Sequence, residues 1–182
     1  MHKLTNMERH YFLGGNTPQG FVGFYKDVVD SYNLSKLYIL KGASGTGKAT
    51  FMRKFAREIL KKHADTDVDY ILCGQDPKSL DGVIFPKLGL GIIDGTHPHV
   101  TDPKYPGVVE EIVDLAKYID GTKVNRVELQ RLLDKKSSHY AKAYKELDKA
   151  KREHDKIEKI YGEAMDFRAL DTVLEEMFLN IL

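Results

Sequence analysis

The chain carries one cysteine, no tryptophan and six prolines in 182 residues. A lone cysteine excludes an internal disulfide framework and fits a reducing compartment, so a cytoplasmic location is expected. Cys73 ends the apolar run VDYILC and reads as a buried structural thiol rather than a nucleophile. No apolar stretch approaches the roughly 20 residues of a membrane-spanning helix, and the N-terminal MHKLTNMERHYF has no secretory apolar segment. Neither sign of charge dominates, since 28 Lys and Arg stand against 27 Asp and Glu. That balance supplies no global attraction to nucleic acid or to an acidic membrane. No internal repeat is visible. What is left is an ordinary globular composition, 42% hydrophobic and 30% charged, long enough for one domain with a real core and an appended arm.

Lys36 to Leu60 organises the rest. KLYIL is a short apolar run that suits a strand buried on both faces. ATFMRKFAREIL places Phe51, Phe55 and Ile59 four apart, as on the apolar side of a helix. Between them lies Gly42-Ala43-Ser44-Gly45-Thr46-Gly47-Lys48, with the spacing G-x-x-x-x-G-K. Glycines let several backbone N–H groups turn inward around a phosphate chain. The following helix adds its free N–H groups and the positive end of its dipole, and Lys48 supplies a point charge for the terminal phosphates. A hydroxyl is wanted next as a Mg²⁺ ligand, but Ala49 stands there and Thr50 comes one residue late. One helical step turns a side chain by about 100°, so Thr50 is a poor substitute and Mg²⁺ handling is the weak point.

Around this centre, Arg9 to Leu13 reads as a strand. Thr17 and Pro18 read as the start of a helix towards Ser31, with Phe21, Phe24, Tyr25, Val28 and Val29 on its apolar face and Asn33 closing it. Val68 to Cys73 is the next strand and feeds the polar loop GQDPKSLDG. Loops at strand carboxyl ends line the ligand crevice of open α/β sheets, which makes Asp76, Lys78, Ser79 and Asp81 candidates for contact with substrate or water. Leu88 to Ile93 is an apolar run ending on Asp94, 46 positions after Lys48 (94 minus 48). A carboxylate at the end of such a strand holds the Mg²⁺ hydration shell beside a phosphate loop. The glutamate that often follows as a water-activating base is replaced by Gly95. In the loop beyond, His97 and Asp102 are the preferred base or sensor candidates. His97 and His99 form a His-x-His pair, for which transition-metal ligation is the minor reading.

Val108 to Ile119 reads as an amphipathic helix. From Val127 to about Tyr161 the chain lacks Pro and Gly and interleaves both charges. Leu133, Tyr140, Leu147, His154 and Tyr161 recur every seven residues, with Ala143, Ala150 and Ile157 on the complementary seam of the same stripe. That pattern gives a long helix with a narrow apolar stripe and a solvated, salt-bridged face. Gly162 interrupts it, and Glu163 to Leu182 forms a second amphipathic helix, the two making a helical hairpin. The division expected is a nucleotide-binding core over 1–122 and helices over 123–182, packed on the core or projecting from it. The apolar end MFLNIL is what a chain shows where a longer protein continues or a partner buries the terminus.

RHYFLGGNTPQGF (9–21), KGASGTGK (41–48), DPKSLDGVIFPKLG (76–89) and IIDGTHPHVTDPKYPG (92–107) together resemble a family of uncharacterised bacterial proteins labelled P-loop ATPases or nucleotide-kinase-like proteins. Members are about twice this length, two ordinary domains' worth, with two phosphate-loop halves in tandem. The resemblance implies that this chain matches the first half, that Gly42, Gly47 and Lys48 hold phosphate, and that Asp94 holds metal. The fold class expected is therefore α/β, a mostly parallel P-loop sheet flanked by helices with a long C-terminal helical hairpin. The function expected is Mg²⁺-dependent ATPase or phosphotransferase chemistry. The alternative is a nucleotide-binding interaction module that scarcely hydrolyses and acts through its helical arm. The lack of an Asn-Lys-x-Asp motif disfavours GTP. A second phosphate-loop half or a second copy is the partner class implied.

Overall fold

The computed structural model describes residues 6–179 and 181. The expectations for the first five residues, for Asn180 and for Leu182 lie outside the described residues. In chain order the elements are β1 (Glu8–Tyr11), β2 (Gly14–Thr17), β3 (Gly20–Gly23), α1 (Val28–Ser31), β4 (Lys36–Lys41), α2 (Lys48–Lys62), β5 (Val68–Leu72), β6 (Leu80–Phe85), β7 (Leu90–Asp94), β8 (Glu110–Asp114), α3 (Arg126–Ala164) and α4 (Phe167–Leu179).

The fold is α/β, built on a six-stranded sheet of order β1-β5-β6-β7-β4-β8. The sheet is mixed. β1 and β5 run parallel, as do β7, β4 and β8, while β6 opposes both of its neighbours. The reversal has a plain cause. Only the turn around Asp76 to Ser79 and the short helical turn Pro86–Leu88 flank β6, and a connection that short makes a hairpin, not a parallel crossover. LDGVIF is thus a strand inside a stretch whose beginning reads as loop.

Burial alternates along the central strands. Leu37, Ile39, Ile84 and Ile93 face a cluster with Tyr25, Val28, Val29 and Leu34. Leu40, Val83, Phe85 and Ile92 face Met52 and Ala56 of α2 on the other side. β4 is buried on both faces, as its sequence indicates. The buried stripe of α2 is Met52 and Ala56 with Phe55 and Ile59 partly covered, whereas Phe51 remains 42% exposed.

Three expected elements differ. Residues 18–31 do not form one helix: β2 and β3 make an antiparallel hairpin, Thr17 pairs with Gly20, and Thr17 Oγ1 donates to the Gly20 carbonyl at 2.8 Å. Gly20, at φ +104°, supplies the left-handed angle this turn needs. A helical turn over Tyr25–Asp27 and α1 follow, closed at Asn33 with φ +50°. Residues 108–119 form β8 and a short turn, Leu115–Tyr118, not a helix. Their Val and Ile residues favour a strand once the open edge of β4 is there to pair with. Finally, α3 runs through Gly162, and α4 makes no hairpin with it: every described α4 residue is exposed. The α3 stripe, with Ala143, Ala150 and His154 among its members, offers too little apolar area to hold a second helix. α3 meets the core at β2, where Tyr144 Oη donates to Asn16 Oδ1 at 2.9 Å. Among the described residues, no helix is long and apolar enough to cross a membrane.

Candidate functional site

The carboxyl ends of β4, β5 and β7 and the start of the reversed β6 share one edge of the sheet. β4 hands the chain to residues 42–47, which lead directly into α2. Gly45 and Gly47 hold φ +89° and +84°, so the loop curls through conformations that side-chain-bearing residues resist. The loop is braced from within: the Thr46 N–H and Oγ1 both donate to the Ala43 carbonyl, at 3.2 and 2.8 Å.

Parallel pairing sets Leu40 of β4 against Asp94 of β7, which brings Asp94 beside the loop. Lys48 Nζ lies 3.5 Å from Asp94 Oδ2 and donates to the Gly42 and Ala43 carbonyls at 2.6 and 3.1 Å. Asp94 is buried, and its Oδ1 accepts the Thr96 N–H at 2.8 Å. Thr96 Oγ1 in turn donates to the Gly42 carbonyl at 3.1 Å, tying the loop after β7 to the glycine loop. Lys41 Nζ braces the same loop through the Gly95 and Thr101 carbonyls, and buried Glu110 accepts the N–H groups of Lys104 and Tyr105.

A cavity of about 1010 Å³ opens over this edge. Of the sequence candidates, Ser44, Gly45, Gly47, Lys48, Ala49, Thr50, Ser79, Asp81, Asp94, His97 and His99 line it. Gly42, Ala43 and Thr46 belong to the loop framework behind that lining. Asp102 does not line it: its side chain is 86% exposed and lies 3.8 Å from Lys41 Nζ. Asp76 is used locally, its Oδ1 accepting the Lys78 N–H at 3.0 Å.

Two parts of the cavity were not legible in the sequence as assemblies, although Asp81 and His99 were each candidates singly. One wall comes from α3, through Leu133, Lys136, Tyr140 and Tyr144, more than eighty positions beyond the glycine loop. The other part is a buried group around Asp81. Asp81 Oδ2 accepts from Tyr25 Oη at 3.1 Å and lies 3.3 Å from His99 Nε2. The His99 ring packs against Tyr25 and Phe21 at centroid distances of 4.7 and 5.1 Å. Burial pushes the Asp81 carboxyl up and the His99 imidazole down, both towards their neutral forms. Cys73 is half-buried at the cavity wall rather than fully enclosed, and burial raises its thiol away from the reactive thiolate.

Fold and site define an α/β protein whose mixed sheet carries a glycine loop, a lysine–aspartate contact and a large cavity at one edge. No family model, curated protein or solved structure matches this chain.

Proposed function

We propose that the chain is a P-loop protein that binds a nucleoside triphosphate, ATP before GTP, with its phosphates on residues 42–50. The observation that carries this reading is the glycine loop opening directly into α2 with Lys48 Nζ 3.5 Å from Asp94 Oδ2. The loop suits the phosphates on its own evidence. At Gly45 and Gly47 a Cβ would meet nothing within 4 Å, so bare backbone faces the cavity that both residues line. The N–H groups there, the first turn of α2 and Lys48 form a concentrated set of donors for phosphoryl oxygen.

Mg²⁺ on the loop fits less well. A hydroxyl ligand is wanted where Ala49 lines the cavity, and Asp94 is the carboxylate that stands beside Lys48. A bound divalent cation neutralises charge on the phosphates during transfer. In this chain Lys48 and the loop N–H groups carry that stabilisation on the protein side, and Asp94 orients Lys48. ATPase or phosphotransferase chemistry is the leading activity. The second reading, a nucleotide-binding module acting through its helical arm, draws on Ala49, on the absence of a carboxylate at Gly95 and on the exposed face of α3. A second phosphate-loop half or a second copy of this chain is the partner either reading calls for.

Calorimetric titration of ATP into the parent and Lys48→Ala, with and without Mg²⁺, tests the proposal, followed by phosphate release on the same samples. The parent binds and Lys48→Ala binds at least about tenfold more weakly, a loss of roughly 1.4 kcal/mol. Equal affinity of the two overturns the proposal. Binding with Mg²⁺-dependent release selects the enzyme, and binding without release selects the module.

A further inference from the structure

We propose that Asp81, Asp94 and His99 are direct ligands of one borderline divalent cation, of the Mn²⁺, Co²⁺ and Zn²⁺ class, bound without help from nucleotide. One ligand atom from each of the three lies within 4.8 Å of the other two, and all three residues are buried. Two carboxylates brought that close in a buried site ionise together only with positive charge beside them. Lys48 supplies one charge against Asp94, and it has its own carbonyl partners in the loop.

The independent observation is His99. Its side chain is 6% exposed, and its Nε2 lies 3.3 Å from Asp81 Oδ2. Its other ring nitrogen, Nδ1, is buried without a hydrogen-bond partner, one of two such side-chain atoms among the described residues. An orphaned buried nitrogen is costly, and imidazole nitrogen with carboxylate oxygen is a donor set suited to borderline transition ions rather than to Mg²⁺. The surroundings orient the three groups as supporting residues orient metal ligands: Tyr25 on Asp81, Thr96 on Asp94, and the Tyr25 and Phe21 rings on His99. All three residues line the cavity, so coordination positions beyond theirs open towards it, the arrangement of a site that also takes water or substrate oxygen. The missing hydroxyl at Ala49 acquires a meaning here: the cation's protein ligands come from β6, β7 and the following loop instead of from the phosphate loop.

The test is Mn²⁺ titration of the chelator-treated, nucleotide-free full chain, followed by electron paramagnetic resonance. The expected result is one Mn²⁺ per chain, displaced by Zn²⁺ or Co²⁺ ahead of Mg²⁺, with pulsed measurements showing ¹⁴N coupling from an imidazole. His99→Gln and Asp81→Asn each weaken binding by at least about tenfold, the lower end for disturbing even a supporting group. The proposal is overturned by no stoichiometric binding, by binding without ¹⁴N coupling, or by folded variants that bind as the parent does. The nitrogen coupling is read on the unmodified chain, so a variant that fails to fold leaves the decision intact. Metal-free ATP titration of the same preparation reports on the phosphate loop separately, and either result can fail while the other stands.

Discussion

At the residue scale, two substitutions relative to the common phosphate-loop pattern have different physical standing. Ala49 lines the cavity and also packs partly against the apolar cluster under α2, and a serine adds only one oxygen to it. Ala49→Ser is therefore expected to raise Mg²⁺-dependent phosphate release by about tenfold or more, roughly 1.4 kcal/mol of barrier. A steady-state assay reads this directly, and an unchanged rate would mean that the loop hydroxyl is not what limits turnover. Gly95 is another matter. A Cβ on it would lie 2.3 Å from Ile39 Cγ2, and Ile39 is fully buried in the centre of the sheet. A glutamate at this position has no room, so packing itself excludes a carboxylate here. Gly95→Ala should destabilise the fold by about 1–3 kcal/mol through overpacking, seen as a lowered Tm. An unchanged Tm would show that Ile39 can give way.

At the element scale, legibility followed periodicity and locality. β1, β4, β5, β7, α2 and α3 were readable because each carries its own period or is bounded by turn residues. The stretch from Pro18 to Ser31 misled because its aromatic and Val residues sit at helical spacings, while Gly20 and Gly23 give the backbone to a hairpin. Val108 to Ile119 misled for a related reason: of its five β-branched residues, Ile112 and Val113 enter a strand when β4 offers an edge, and no local signal announces that edge. The long α3 was legible as a helix, but not the part of it that matters to the cavity. Its beginning approaches the site, while Leu147 and Ile157 in the heptad stripe are 38% and 51% exposed. Leu147→Glu and Ile157→Glu should each shift stability by no more than about 0.5 kcal/mol. Met52→Ala, at a fully buried position of α2, should cost about 2–5 kcal/mol. Urea unfolding of the three variants checks the contrast, and a large loss at position 157 would reveal a packed partner for the stripe.

At the scale of the whole molecule, the glycine loop and Asp94 were legible as a pair because each follows or ends an apolar strand run, and the parallel pairing of β4 with β7 is what brings them together. The pairing of Asp81 with His99 was not, since it depends on β6 running backwards between its neighbours. The same topology predicts how stability is distributed. Both faces of the sheet are covered by apolar clusters, so amides of β4, β6 and β7 open only when the core does. The far part of α3 is held instead by short-range ion pairs such as Glu146–Lys149, Asp148–Arg152 and Glu153–Lys156, each contributing about 0.2–0.5 kcal/mol. A helix sustained that way frays and re-forms independently of the core. Hydrogen exchange should therefore show slow exchange in the central strands and fast exchange over 147–164. Saturating ATP should then add protection at 42–50, where the phosphates are proposed to sit, and at 133–144, which walls the cavity, while leaving 147–164 unchanged. Protection confined to 42–50 would place α3 outside the bound site. Protection spreading along all of α3 would instead make the helix the element that reports nucleotide occupancy to a partner.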